Sequence, residues 1–175
     1  SPKRPVSPYG VTKLAAEHLA WLYWKNHGVP TVSLRYFTVY GPRQRPDMAF
    51  HRFISAAFED GTVSLYGDGT QSRDFTYVSD IVQANMAATV IVMDDVAGCT
   101  FNLGGGSQTT VNDVLDTIGR LTGRPVKVER REVQKGDVRH TAADTSAARA
   151  VLGFAPQVDL EEGLARHADS LRHPG

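Results

Sequence analysis

Between Ser7 and Tyr40 a proline-started helix runs straight into a strand, and that order restricts the fold more than any other feature of the chain. Ser7 is a good N-cap and Pro8 suits the first helical position. Val11, Leu14, Ala15, Leu19 and Leu22 then recur at helical spacing until Gly28 ends the run. Thr31 to Tyr40 alternates, is rich in β-branched and aromatic residues, and is bounded by Pro30 and Gly41-Pro42, so a strand is predicted there. Helix followed at once by strand predicts an α/β fold with a parallel sheet. Neither a strand nor a Gly-rich turn precedes the helix, so the chain is expected to open in mid-domain.

Further along, Pro42 to Asp47 is a polar, proline- and arginine-rich loop, and Phe50, Phe53, Ile54, Ala57 and Phe58 mark an amphipathic helix ending near Gly61. Val63 to Tyr66 and Arg73 to Val78 read as short strands about a Gly67-Asp68-Gly69 turn. Ser79 is expected to cap a helix through Ile81, Ala84, Ala88 and Ile91. Phe101 to Leu103 is a brief strand, Gly104-Gly105-Gly106 a turn, and Thr109 or Thr110 the cap of a helix that stops at Gly123. Val126 to Val128 suits another strand, and two helices, Ser146 to Leu152 and Leu160 to Leu171, complete the chain.

Composition narrows the partners. Of 175 residues, 41% are hydrophobic and 22% charged, ordinary for one packed core. Lysine and arginine number 19 against 19 acidic residues, so no global field draws the chain to nucleic acid or an anionic membrane, and any basic chemistry must be local. Cys99 is the only cysteine, which precludes an internal disulfide and suits a reducing cytoplasm. No stretch of about eighteen apolar residues occurs, and the first residues lack the pattern of an export signal. Histidines show no metal-ligand spacing, so no metal is predicted.

Tyr9 and Lys13 stand four apart on the first helix, hence on one face and one turn from each other. An ammonium beside a phenol favours the phenolate, and a tyrosine that ordinarily titrates near ~10 can then serve as a general base for a hydroxyl proton. Tyr-x-x-x-Lys also arises by chance, with the ring in a core and the amine in water, so the pair needs context.

That context is present. Ser7-Pro-Tyr-Gly-Val-Thr-Lys-Leu-Ala-Ala-Glu17, then Leu34-Arg-Tyr-Phe-Thr-Val-Tyr-Gly-Pro-Arg43, then Gly67-Asp-Gly-Thr-Gln-Ser-Arg-Asp-Phe-Thr-Tyr-Val-Ser-Asp80, and finally Gly136-Asp-Val-Arg139 before Ala143-Asp144, follow one another in order. Together they resemble the extended short-chain dehydrogenase/reductases that act on nucleotide sugars, specifically the C-terminal half of an NAD-dependent epimerase. The resemblance implies a Rossmann-like parallel sheet with a small α+β substrate-binding lobe. Residues 1–45 would complete the NAD-binding domain, and residues 46–175 would mainly form the sugar-nucleotide lobe, with some segments returning to the sheet. The glycine-rich pyrophosphate turn of the family is not among these residues; Gly104-Gly105-Gly106 lacks its spacing and is expected to be structural.

Carried over residue by residue, the resemblance makes Tyr9 the base and has Lys13 bind the nicotinamide ribose while acidifying the phenol. Phe37 and Val39 would shape the NAD site. Thr38 would face the sugar, as in the branch acting on UDP-glucuronate, although a β-branched residue equally suits a strand. Arg45, Arg73 and Arg139 fall where the family meets the nucleotide diphosphate, Asp137 where it meets ribose hydroxyls, and Ala49 and Phe53 where it lines the base pocket. Asp74 and Asp80 would order the loop and the helix start. Ala16, Ala20, Trp21 and Trp24 add a second apolar face to the first helix, and the family uses such helices in a homodimer. The implied activity is C4 epimerisation of a UDP-sugar, UDP-glucuronate favoured over UDP-glucose. A UDP-glucuronate decarboxylase, a 4,6-dehydratase and a non-catalytic NAD-binding regulator share parts of the pattern.

Overall fold

The computed structural model describes residues 4–91, 96–106, 108–132 and 139–173. Helix α1 spans Pro8–His27: the Ser7 hydroxyl accepts the Gly10 N–H at 3.1 Å, Pro8 sits in the first turn, and Gly28, in the left-handed region at φ 66°, closes the far end. β1 (Ser33–Tyr36) and β2 (Val39–Tyr40) follow, then α2 (Ala49–Glu59), β3 (Thr62–Tyr66), β4 (Ser72–Asp74), β5 (Thr76–Tyr77) and α3 (Val78–Val90). The order continues with β6 (Thr100–Leu103), β7 (Gln108–Thr110), α4 (Val111–Thr122), β8 (Lys127–Arg131), α5 (Ser146–Leu152) and α6 (Leu160–Arg172).

The expected parallel pairing is present. β1 pairs with β6 from Ser33↔Thr100 to Tyr36↔Leu103, β2 with β5, and β3 with β8, all parallel; only β4 and β7 are antiparallel among the described ladders. Three expectations are corrected. The single strand from Thr31 to Tyr40 is broken at Phe37–Thr38 because the chain changes partner there: the Phe37 N–H donates to Leu103 O of β6, whereas Thr38 O accepts from Thr76 of β5. The strand expected from Arg73 to Val78 is divided into β4 and β5, with Val78 opening α3, and it does not pair back onto β3 across the Gly67-Asp68-Gly69 turn. Gly67 instead donates to Arg131 O and Gly69 O accepts from Asn112, so the turn hands β3 and β4 to different neighbours. Ser79 lies inside α3; its N-cap is Tyr77, with no side-chain cap. Of the two threonines offered for α4, Thr110 is the cap, in a reciprocal capping box with Asp113.

Two apolar clusters hold these elements together. Tyr40, Phe50, Phe53, Ile54, Val63, Leu65, Phe75, Val114, Ile118 and Leu164 form one beneath β3 and β8, where α2, α4 and α6 converge. Ile81, Ala84, Phe101, Leu103, Ala148, Leu152 and Phe154 form the other, with Val32, Leu34 and Val39 packed against it, so α3, β6 and α5 return to the sheet begun by β1. Burial of such residues is the main force behind the architecture, at roughly 25 cal/mol per Å² of apolar surface. No described helix is long and apolar enough to cross a membrane.

Candidate active site

Helix α1 buries none of its residues completely, so its place beside β1 is set by a few specific contacts. Thr31 Oγ1 donates to Ala20 O at 2.9 Å. The Trp24 indole rests on Gly98, where a Cβ would come within 2.2 Å of the ring, so only glycine allows this approach. Arg35 on β1 grips Glu17 with both prongs, Nε donating to Oε1 at 2.5 Å and Nη2 to Oε2 at 2.6 Å. These bonds hold the Arg35 guanidinium above its ordinary pKa against the opposing effect of partial burial. Both residues lie within the sequence motifs, at positions for which the resemblance implies no role. The discoverable signal was Glu17 standing one turn beyond Lys13.

Tyr9, Lys13 and Glu17 therefore form a row on one face of α1. Lys13 Nζ lies over the Tyr9 ring, 5.4 Å from its centroid, within the range of a cation–π contact. Tyr9 is 70% exposed, and its hydroxyl makes no hydrogen bond among the described residues. Both side chains open into a groove of about 700 Å³ between α1 and β1, lined also by Arg4, Leu34, Arg35 and Tyr36. The groove leaves the phenol free to meet an alcohol and puts an ammonium where ribose hydroxyls could accept from it, which fits the nicotinamide end of a dinucleotide.

Phe37, Thr38 and Val39 follow at the carboxyl end of β1, the edge at which open α/β sheets receive ligands. Phe37 and Val39 are half-buried and Thr38 is exposed. The arginines fall into two groups. Arg73 and Arg139 are brought together: Arg73 Nη1 donates to Ser72 O at 2.9 Å and to Arg139 O at 3.3 Å, and Ser72 bridges to His140 alongside. Arg45 is engaged with Asp47 in an exposed ion pair at 3.0 Å. Ala49 is exposed at the start of α2, while Phe53 is only 6% exposed and belongs to the core, so little of its ring is offered to a ligand. Asp137 lies outside the described residues.

Two buried carboxylates keep the surroundings in place. Asp74 accepts from the backbone N–H of Gly106 and of Ala143, each at 3.1 Å, and Asp80 accepts from those of Gln157 at 3.1 Å and Val158 at 3.4 Å. The triple-glycine turn packs on the same spot: a Cβ on Gly104 would meet Ala143 and Asp74, and one on Gly105 would meet Phe75 O. Gly104 and Gly105 serve close packing, whereas Gly106 takes the left-handed region at φ 82°. Among the described residues no group of three or more His, Cys, Asp or Glu is placed to hold a metal ion.

Residues 1–104 match the model of the NAD dependent epimerase/dehydratase family. The chain is 44% identical over 160 residues to an uncharacterized UDP-glucose epimerase, YtcB, of Bacillus subtilis, covering 91% of this chain and 50% of that protein. It is 40% identical over 163 residues to the UDP-glucuronate 4-epimerase of Thermodesulfobacterium geofontis, covering 93% and 49% respectively. The structure matches that of a UDP-glucuronic acid 4-epimerase from Bacillus cereus in complex with UDP-glucuronic acid and NAD, with a TM-score of 0.92 and 42% identity over 98% of this chain and 54% of that one. The chain spans about half the length of the relatives it matches.

Proposed function

From the premise that the chain belongs to the NAD dependent epimerase/dehydratase family, we propose that it serves the C4 epimerisation of a UDP-sugar, with UDP-glucuronate the favoured substrate and UDP-galacturonate its product. The observation that carries this reading is the Lys13 ammonium set over the solvent-facing Tyr9 phenol in an open groove. Tyr9 takes the proton of the sugar 4-hydroxyl, and Lys13 stabilises the phenolate that does so. NAD, when bound, supplies a reversible hydride acceptor at C4. The 4-keto sugar turns about its diphosphate link, and Tyr9 returns the proton as the hydroxyl re-forms on the opposite face, with no net oxidation.

Residues 1–45 supply the cofactor side, with Phe37 and Val39 as its wall, and residues 46–175 mainly hold the nucleotide sugar. Thr38 offers its exposed hydroxyl to the hexuronate carboxylate. Arg73, Arg139 and Arg45 hold the diphosphate, Asp137 the ribose, and Ala49 lines the base pocket with Phe53 packed in the core behind it, so that the UDP stays fixed while the hexose swings. A homodimer through α1 and a cytoplasmic location complete the proposal.

The test uses the full-length protein with UDP-glucuronate and, separately, UDP-glucose, with products identified by NMR. UDP-galacturonate supports the reading. A pentose product, a 6-deoxy keto sugar, or no conversion of either substrate overturns it. Tyr9→Phe should retain NAD while turnover falls about 10²- to 10⁴-fold.

A further inference from the structure

On the reading that Arg45 and Ala49 belong to the nucleotide site, we infer that Gln44 is a positioning residue for it. Gln44 ties the first turn of α2 to Val39, and so holds the intervening loop, with Arg45 on it, in the shape that receives the diphosphate. One side-chain amide makes both ties: Gln44 Nε2 donates to Val39 O at 3.1 Å, and Gln44 Oε1 accepts from the His51 N–H at 3.1 Å. The two ends of the amide are fixed by their partners, because a carbonyl only accepts and a backbone N–H only donates. Val39 belongs to β2 and His51 to the first turn of α2, so this one side chain spans the whole loop from 41 to 48.

Two local features show why the loop needs such a tie. The first N–H groups of a helix lack carbonyl partners within it, and Met48, the N-cap of α2, makes no side-chain capping bond. Gln44 supplies from the loop the cap that Met48 does not. Its own backbone closes a turn: the Gln44 N–H donates to Gly41 O at 3.2 Å, with Pro42 and Arg43 between. Arg43 sits there at φ 64°, a left-handed conformation that ordinarily calls for glycine at this position of a turn. A backbone of that kind persists where its surroundings over-determine it, and the two bonds of Gln44 do so. The Gln44 side chain is half-buried, which limits competition from water. Arg45, next along, bonds Asp47 and Met48 of the same loop, so its place in the molecule depends on how that loop is anchored.

The experiment measures UDP binding by calorimetry to the full-length, NAD-loaded protein as parent, Gln44→Met, Met48→Ser and the two combined, with urea midpoints taken in parallel. Gln44→Met keeps the length of the side chain and removes both bonds. Met48→Ser gives α2 a cap of its own but no link to Val39. Gln44→Met should raise the Kd for UDP about tenfold, the cost of ordering a loop that is no longer pre-set. The combined variant should regain part of the urea midpoint while its Kd stays well above that of Met48→Ser. An unchanged Kd in Gln44→Met overturns the proposal. So does a combined variant that binds UDP as Met48→Ser does, since Gln44 would then be a helix cap alone, and so does a parent that does not bind UDP. If Gln44→Met does not fold by circular dichroism, the combined variant, with α2 capped again, decides by the same comparison. A raised Kd in a protein that converts neither UDP-sugar would sink the epimerase reading and leave this one standing; conversion of UDP-glucuronate with an unchanged Kd in Gln44→Met would do the reverse.

Discussion

His51 and His167 face each other inside the molecule, their ring centroids 6.3 Å apart. His167 on α6 is fully buried, and neither of its ring nitrogens has a hydrogen-bond partner among the described residues. Burial chiefly, and the neighbouring His51 secondarily, push the His167 pKa down to about 4. The folded state thus requires a neutral imidazole, while the unfolded chain takes up a proton near the ordinary value of about 6.5. The stability that follows is present above pH ~6.5 and is lost as pH falls towards 4, by roughly 3 kcal/mol. Urea midpoints measured at intervals across that window should decline, and His167→Leu should flatten the decline. Parallel curves for parent and variant would show that the imidazole is not the cause.

Asp74 should be a point of high cost. It is 2% exposed and receives two backbone N–H groups from segments far apart in sequence. Asp74→Ala strands both donors and should cost about 3 kcal/mol in denaturant unfolding, with Asp74→Asn losing about half as much.

Gly163 should tolerate no side chain. A Cβ there would lie 2.2 Å from the Tyr40 hydroxyl oxygen and 2.8 Å from Tyr77 Cδ2, both in the core. Gly163→Ala should destabilise by roughly 2 kcal/mol and lower the melting temperature by several degrees. Adding Tyr40→Phe removes the nearest atom and should recover part of the loss.

The proposed dimer is testable on α1, whose Leu19 and Tyr23 are 56% and 53% exposed one turn apart. Leu19→Asp combined with Tyr23→Asp should convert the full-length protein to a monomer in light scattering, since carboxylates cannot be buried unpaired against an apolar partner. A persistent dimer would place the interface elsewhere.

Local chemistry was legible in the chain itself. Ser7, Pro8 and Gly28 mark the ends of α1, Thr110 and Gly123 those of α4, and the four-residue step from Tyr9 to Lys13 places both on one helical face, because caps and helical periodicity depend only on nearby residues. A parallel sheet was expected from the order of elements, and β1 and β6 are among the strands that pair in parallel. What the sequence could not determine was which strand partners which: Phe37 bonding to Leu103 and Thr38 to Thr76 splits one alternating run in two, and β3 turns to β8 instead of β4. Nor could it assign Glu17 to Arg35, Asp74 to Gly106 and Ala143, or His167 to His51. Those matches join residues distant along the chain, and they are selected only when burial of the two apolar clusters brings the segments together and leaves each interior polar group to find whatever partner the packing presents.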